Sequence, residues 1–386
     1  MGKAYLHNLT ALRGIAALLV VIHHFDFFYG SLLPAGSSGV IYKTYLMVDL
    51  FFALSGFVIC YVYEETFSSK FSLSTYKNFI LARFSRVYPL HIFTLLATIL
   101  LYLILIIYDK DWLLNPLQKH MHRWDSIPIQ LLFLQTIGIY DFDTWNAPAW
   151  SLSAEWWAYM IFPITFIVVS RIRKTHATFL GVLIIIGGWL FLEYYLSPRQ
   201  PFFNFPLNSN NFALDLNWHY GTLRGIVGFV MGMLMWRLYK QDKLKRLLGN
   251  GWTLLALVFA TLICMHFKLP DTATVTLCSF VVLSIAYGSI GIDRFFNWTP
   301  FQKLGIWSFS IYIWHMVFLR VISTWYILQR TEPHTGGMFK PFNSSLVESW
   351  TAFLIILPII LFLSWLSYRF LEKPSRDWLN RKLVKK

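Results

Sequence analysis

The sequence predicts an all-α, polytopic integral membrane protein, built as a helical bundle of about ten transmembrane helices. Of its 386 residues, 56% are apolar and only 13% are charged, whereas charged residues make up about 25% of a typical soluble domain. Apolar runs of about 20 residues, the length that crosses a bilayer, recur along the whole chain. These observations exclude a disordered chain, a coiled coil and a secreted disulfide scaffold.

Ten apolar runs approach the length of a spanning helix. They are residues 9–28, 45–63, 88–108, 154–169, 178–196, 221–239, 252–267, 272–290, 304–328 and 346–370. An eleventh run is short, and we expect a re-entrant or surface helix within residues 126–140 instead of a crossing. No stretch is left for a separate soluble domain, so residues 1–386 are predicted to form a single transmembrane domain.

The distribution of basic residues predicts the topology. The chain has 33 Lys and Arg against 19 Asp and Glu. If the N-terminus is cytoplasmic and ten spans alternate, 23 basic residues lie inside, eight outside and two within spans. A crossing at residues 127–139 would remove most of this bias. Because cytoplasmic loops are enriched in Lys and Arg, we expect both termini in the cytoplasm, and the positive charge reflects membrane orientation, not nucleic-acid binding.

The cysteines give no sign of a metal site or a disulfide framework. Cys60, Cys264 and Cys278 all lie in apolar runs, without Cys-x-x-Cys or Cys/His spacing. We therefore expect no bound metal.

Ionisable side chains within apolar runs are site candidates, because a charge in the bilayer is costly. Arg13 and His24 are 11 residues apart in the first run, which places them within about 20° of one helix face, with His24 in the outer half and His23 turned about 80° away. Asp49 in the second run has a similar depth, and a carboxylate there can orient an imidazole that acts as a base. For Arg13 and His24, a core histidine with a snorkelling arginine is an equally good explanation. For Asp49, the alternative is an interfacial helix-start aspartate that favours its own N-terminal amides.

Five further residues extend the candidate set. Glu155 begins the fourth run at its outer end, although a first-turn acid is the simpler explanation. Arg83 and Arg86 share a helix face on the predicted cytoplasmic side, where paired guanidiniums suit phosphate groups. The alternative is ordinary membrane anchoring. His315, near the middle of the ninth run, and Arg224, near the outer end of the sixth, can line a pathway or form half of a structural pair.

Taken together, six segments resemble, in order, the motifs of the acyltransferase 3 family of membrane acyltransferases. They are LTALRGIAALLVVIHHF with Arg13 and His24, MVDLFFALSGFVI with Asp49, RFSRVYPLH with Arg83 and Arg86, WSLSAEWWAYMIFP with Glu155, FSIYIWHMVF with Ser310 to His315, and FLEKPSR.

The resemblance implies that an acyl group, usually acetyl, moves from cytoplasmic acyl-CoA to a hydroxyl of an extracytoplasmic glycan, such as lipopolysaccharide O-antigen or exopolysaccharide. It implies a location in the bacterial inner (cytoplasmic) membrane, with acyl-CoA, the glycan and the lipid bilayer as partners. Acetyl-CoA would be the acyl donor.

Combined with the residue positions, this resemblance assigns roles. Arg83 and Arg86 would hold CoA phosphates, helped by Arg13. His24 would act as general base or as a transient acyl carrier. Asp49 would orient His24.

In the same scheme, Glu155 would hold or activate the acceptor. Buried His, Asp and Arg also serve proton-coupled transporters, which is the competing interpretation. The sequence shows neither repeated halves nor paired broken helices that would support it. A role as a receptor or scaffold would not explain why an arginine pair on the predicted inner side lies opposite a set of histidine and acidic residues on the outer side.

Overall fold

Helices form nearly all of the described structure. The structure, a computed structural model, describes residues 6–69, 72–114, 116–140, 142–199, 212–331, 340–342 and 345–384. The main helices are α1 (His7–Phe28), α2 (Met47–Ser69), α3 (Leu73–Ile107), α4 (Trp150–Arg171), α5 (Thr175–Phe191), α6 (Gly221–Gln241), α7 (Gly251–His266), α8 (Asp271–Tyr287), α9 (Thr299–Leu328), α10 (Leu346–Ser367) and α11 (Lys373–Leu383).

A helix stands at each of the ten predicted positions, but ten crossings are not confirmed. Within the described ranges, seven helices are long and apolar enough to cross a membrane. An eighth results if Asp271–Tyr287 and Ile290–Phe296, which meet at 102°, form one span. The helix Gly251–His266 is shorter, with 16 residues. Large apolar side chains such as Ile184 and Phe259 are exposed, as expected of an integral membrane protein whose helices face lipid.

The short eleventh run does not form a spanning helix. Only Ile127–Leu131 is helical, and turns follow it. The polar side chains of Gln130, Gln135 and Thr136 are buried, and the Thr136 hydroxyl hydrogen-bonds Ser153 of α4 at 2.8 Å. This segment therefore packs beneath the start of α4. Whether it is re-entrant or at the surface stays a prediction.

The directions of the helices agree with the predicted alternation. Arg13 of α1 contacts Gly305 of α9, while further along both helices Tyr29 hydrogen-bonds Ser323, so α1 and α9 run parallel. Helix α2 is likewise parallel to α6 and α4, and α3 is antiparallel to α4. Helices α1 and α9 thus share one direction, and α2, α4 and α6 share one direction. We call the end of the bundle at which α1 begins the basic end and the opposite end the cavity end.

Small residues allow the helices that carry the site to approach closely. A Cβ atom on Gly14 of α1 would lie 2.5 Å from the backbone nitrogen of Gly305 in α9. A Cβ atom on Gly232 of α6 would overlap the backbone carbonyl of Ala53 in α2. Close backbone approach at small residues is a typical way to pack helices in membranes. It fixes α1 against α9 and α2 against α6 with little freedom to shift.

Candidate active site

Two histidines from different helices meet at the cavity end. The Nδ1 atom of His24 on α1 lies 3.2 Å from Nε2 of His315 on α9. The same Nδ1 lies 2.9 Å from the carbonyl oxygen of Val20. The Nδ1 atom of His315 lies 2.6 Å from the carbonyl oxygen of Tyr312. His315 is fully buried, whereas His24 borders a cavity.

These contacts select one tautomer for each ring. A carbonyl oxygen only accepts hydrogen bonds, so Nδ1 of His315 carries its proton and Nε2 of the neutral ring accepts. Nδ1 of His24, which faces that acceptor and the Val20 carbonyl, therefore donates. The Nε2 atom of His24 is left unprotonated, which is the state that a general base requires.

Asp49 does not orient His24, contrary to the prediction. Its carboxylate is bound by Arg224, with Nε at 3.0 Å from one oxygen and Nη2 at 2.7 Å from the other. The side chains of Asp49 and Arg224 are 0% and 1% exposed. Helical spacing placed Asp49 at a depth similar to that of His24. A carboxylate at that depth pairs with the buried guanidinium, however, because an unpaired buried charge is more costly than a neutral imidazole without a carboxylate partner. Arg224, predicted as a pathway residue or half of a structural pair, forms such a pair with Asp49 and also lines the cavity. Its role in a pathway stays a prediction.

Glu155 lies deeper in the bundle than the prediction placed it. It accepts hydrogen bonds from Ser55 at 2.6 Å and from Tyr159 at 2.5 Å. Ser55 is six residues beyond Asp49 on α2, which corresponds to about 9 Å along the helix axis. Glu155 therefore does not share the depth of His24 and Asp49. It lies between the cavity and Arg83, whose charge acts on Tyr159.

A cavity of about 170 Å³ opens beside His24. Its wall combines aromatic rings with a few polar and charged groups. Its lining includes His23, His24, Phe27, Phe28, Tyr45, Phe142, Asp143, Trp150, Asp215, Asn217, Trp218, Arg224 and Tyr312. His23 also lines the cavity, and its Nδ1 lies 3.5 Å from the carbonyl oxygen of Ile41. A partly apolar cavity with a few convergent polar groups is typical of a small-molecule site.

Two acids of this wall, Asp143 and Asp215, were not among the predicted site residues. Asp143 and Asp215 lie in loops, where helical spacing gives no signal. Burial raises the pKa of Asp143 well above its usual range, and Asp215 adds to this while Arg320 opposes it. Burial also raises the pKa of Asp215, which lies 3.9 Å from Arg224.

The predicted CoA ligands gather at the basic end. Arg83 donates to the Tyr63 hydroxyl at 3.1 Å, whereas the guanidinium of Arg86 lies over the ring of Phe309, 5.9 Å from its centre. Arg13 donates to the carbonyl oxygen of Gly305 at 3.3 Å. The two arginines of α3 thus face different helices, α2 and α9, although both lie at the same end of the bundle.

A buried carboxylate organises part of this end. Glu372, which follows α10, is 3% exposed and accepts a hydrogen bond from Ser310 at 2.7 Å. Arg86, Arg376 and Arg13 all act on it electrostatically. The Lys3, Lys70, Lys385 and Lys386 counted toward this side lie outside the described residues.

Comparison with known proteins decides the family. A family model described as an acyltransferase domain, acyltransferase 3, matches residues 6–369. The chain belongs to this acyltransferase family. Five of the six motifs of the sequence resemblance lie within the match, and the sixth, FLEKPSR, follows directly after its end.

Several relatives of this acyltransferase-family chain have named functions. It is 26% identical to the acyltransferase MdmB of Streptomyces mycarofaciens, over 82% of this chain and 79% of the relative. It is 20% identical to the peptidoglycan O-acetyltransferase OatA of Listeria monocytogenes over 97% of this chain. It is 22% identical to the putative peptidoglycan O-acetyltransferase YrhL of Bacillus subtilis over 96%. The chain spans only 56% and 55% of the lengths of the last two relatives.

Proposed function

We propose that this protein is a membrane O-acyltransferase that moves an acetyl group from cytoplasmic acetyl-CoA to a hydroxyl of an extracytoplasmic glycan. The observation that carries the proposal is the His24–His315 pair. It leaves an unprotonated imidazole nitrogen beside a cavity, at the end of the bundle opposite Arg83 and Arg86. Family membership and the acyltransferase and O-acetyltransferase names of the relatives support the same reaction class.

The basic end is the proposed donor site. CoA carries three phosphates, and guanidinium groups bind phosphate with paired, charge-assisted hydrogen bonds. Arg83 and Arg86 lie at this end, and Arg13 adds a third charge that acts on Glu372. This end is the predicted cytoplasmic side of a bacterial inner membrane, with both chain termini on that side.

The pantetheine arm of CoA must then reach the cavity through the bundle. Glu155, Ser55 and Tyr159 form a polar cluster between Arg83 and the cavity. We assign this cluster to the passage of the thioester, not to the acceptor as the sequence suggested.

The transfer step follows from the assigned tautomers. Nε2 of His24 removes the proton from the acceptor hydroxyl, and the hydroxyl oxygen attacks the thioester carbonyl carbon. The new C–O bond replaces the C–S bond, and the CoA thiolate leaves and takes the proton from His24. His315 stabilises the imidazolium of His24 during the step by accepting its Nδ1–H hydrogen bond.

The acceptor is proposed as a cell-envelope glycan. The relatives named peptidoglycan O-acetyltransferases support a glycan hydroxyl, and the family resemblance adds lipopolysaccharide O-antigen and exopolysaccharide. The aromatic wall of the cavity, with Trp150 and Trp218, suits the apolar faces of a sugar ring. The cavity lies on the predicted extracytoplasmic side.

The test uses purified protein in lipid nanodiscs with radiolabelled acetyl-CoA. We expect CoA release and label transfer to envelope glycans with the native protein, and loss of both with His24→Ala. His176→Ala, at an exposed position at the start of α5, is the matched control and should keep full activity. Label that is retained on the native protein before the acceptor is added, but not on His24→Ala, would identify His24 as an acyl carrier.

The same preparation separates the competing function. A proton-coupled transporter would release no CoA with any envelope glycan and would instead accumulate solute in liposomes under a pH gradient. Full activity of His24→Ala would contradict the assigned base.

A further inference from the structure

A buried aspartate at the start of α8 joins two parts of the cavity wall. Asp271 is 0% exposed, and its carboxylate accepts hydrogen bonds from the Lys43 ammonium and the Tyr45 hydroxyl. The backbone amide of Leu214 donates to the same carboxylate at 2.7 Å. The three donors thus come from two segments that are distant in the sequence, the short helix Tyr42–Leu46 and the loop before α6.

The carboxylate of Asp271 accepts from donors outside its own helix. An acid in the first turn of a helix commonly accepts hydrogen bonds from the free amides of that turn. Here Glu193, which follows α5, takes this role, and its carboxylate oxygens accept from the amides of Asp271 and Thr272 at 2.8 Å and 2.9 Å. Capping of α8 therefore does not account for the contacts that the Asp271 carboxylate makes.

The bond to Leu214 holds the loop that carries Asp215 and Asn217, two residues of the cavity wall. The amide of Leu216 donates to the carbonyl oxygen of Leu214 at 2.8 Å, so Asp215 is the central residue of a three-residue turn. At the other end of the loop, Asn217 accepts from Nη1 of Arg224 at 3.2 Å. The loop is thus fixed at both ends, by the buried aspartate and by Arg224.

The other part of the wall that this aspartate holds is Tyr45. The hydroxyl of Tyr45 donates to Asp271, whereas the residue lines the cavity. The centre of its ring lies 5.8 Å from that of His23 and 5.8 Å from the guanidinium of Arg224. A hydrogen bond at the tip of the ring restricts its movement, and this fixes the wall beside the residue that precedes the proposed base, His24.

We propose that Asp271 is a positioning residue of the acceptor site, which holds Tyr45 and the Leu214 loop in the arrangement that the acceptor requires. The word acceptor rests on the proposed function. Asp271 acts through these wall residues and not by touching the acceptor. A wall that is already ordered binds a ligand more tightly, because less conformational freedom is lost on binding. Binding of acetyl-CoA, proposed at the basic end, does not depend on this wall.

Two neutral double variants isolate the anchoring. Lys43→Met with Asp271→Leu removes the ion pair and both side-chain oxygens, whereas Lys43→Met with Asp271→Asn keeps one acceptor oxygen in a side chain of similar size. Because both remove the buried charges as a pair, they differ chiefly in the acceptor for Leu214 and Tyr45. Tyr287→Phe is the control, since it removes a hydrogen bond to a backbone carbonyl, at 2.9 Å, from the opposite end of α8.

Hydrogen–deuterium exchange in lipid nanodiscs, followed by mass spectrometry, measures the anchoring without acyl transfer. We expect the Leu214 amide to exchange about tenfold faster in the leucine variant than in the asparagine variant, because its acceptor is lost. In the transfer assay, the KM for a purified envelope-glycan fraction should rise about tenfold in the leucine variant and less than about threefold in the asparagine variant.

The KM for acetyl-CoA separates positioning from stability. It should stay within about twofold of the native value in both double variants, and Tyr287→Phe should change neither KM nor the exchange rate. A contact that only stabilises the fold would instead lower the yield of folded protein and leave both KM values unchanged.

Equal exchange rates in the two double variants, or an unchanged KM for the glycan fraction in the leucine variant, would overturn the inference. If size-exclusion chromatography shows that the leucine variant is not folded, Tyr45→Phe replaces it, because this change removes one donor and keeps the ion pair. It should raise the same KM about fivefold, and an unchanged KM would again overturn the inference. A native protein that transfers no acetyl group, with exchange rates as expected, would count against the proposed function and not against the anchoring by Asp271.

Discussion

Replacing His315 tests the assigned histidine pair most directly. The His24 Nδ1–H bond to His315 joins two neutral rings at rest, and it becomes charge-assisted when His24 takes the acceptor proton. A neutral hydrogen bond contributes about 1 kcal/mol, and one to a charged group about 1.5–3 kcal/mol. His315→Phe therefore removes about 0.5–2 kcal/mol of stabilisation that is specific to the transition state.

This difference predicts a decrease in kcat of about 2- to 30-fold, because each 1.36 kcal/mol corresponds to tenfold in rate. The decrease is limited because the Val20 carbonyl, at 2.9 Å from Nδ1, still holds the tautomer of His24. The KM for acetyl-CoA should stay within about twofold, since the proposed donor site is at the other end of the bundle. His315→Asn, which keeps an acceptor, should recover part of the loss.

The assay is initial-rate CoA release in nanodiscs with saturating acceptor. His23→Phe is the matched control, because His23 lies next to His24 in the sequence but its Nδ1 faces Ile41. It should keep kcat within about threefold. Two results would refute the reasoning: an unchanged kcat in His315→Phe, or a loss as complete as that of His24→Ala, which would make His315 itself the base.

Three further predictions concern the helices around the site. Asp49→Asn should lower the free energy of unfolding by about 3–5 kcal/mol, measured by reversible unfolding in detergent, because the charge of Arg224 stays buried without this carboxylate. Asp49→Leu combined with Arg224→Met should recover most of that loss, because it removes both charges. A free energy of unfolding equal to that of the native protein in Asp49→Asn would contradict the structural role of the Asp49–Arg224 pair. Arg83→Ala should raise the KM for acetyl-CoA about tenfold with little change in kcat, and Arg171→Ala, exposed at the end of α4, should change neither. Gly232→Val should yield little folded protein by size-exclusion chromatography, because its side chain overlaps the α2 backbone; a normal yield would show that the α2–α6 packing is looser than described.

The partner of His24 shows where sequence reasoning stopped. Helical geometry correctly placed His24 and Asp49 at similar depth, since rise and rotation per residue are fixed by the backbone. It could not say which groups face each other across helices. His24 and His315 are 291 residues apart, and their contact depends on how α1 packs against α9 at Gly14 and Gly305.

The sequence by itself determined the helical membrane class, the positions of the main helices and the family motifs. Each of these follows from local properties: the length of an apolar run, the cost of a charge in lipid and the order of residues along the chain. The tertiary structure decided the pairing of Asp49 with Arg224, the depth of Glu155 and the recruitment of Asp143 and Asp215 to the cavity. Such contacts join distant helices and loops, and only side-chain packing in three dimensions brings them together.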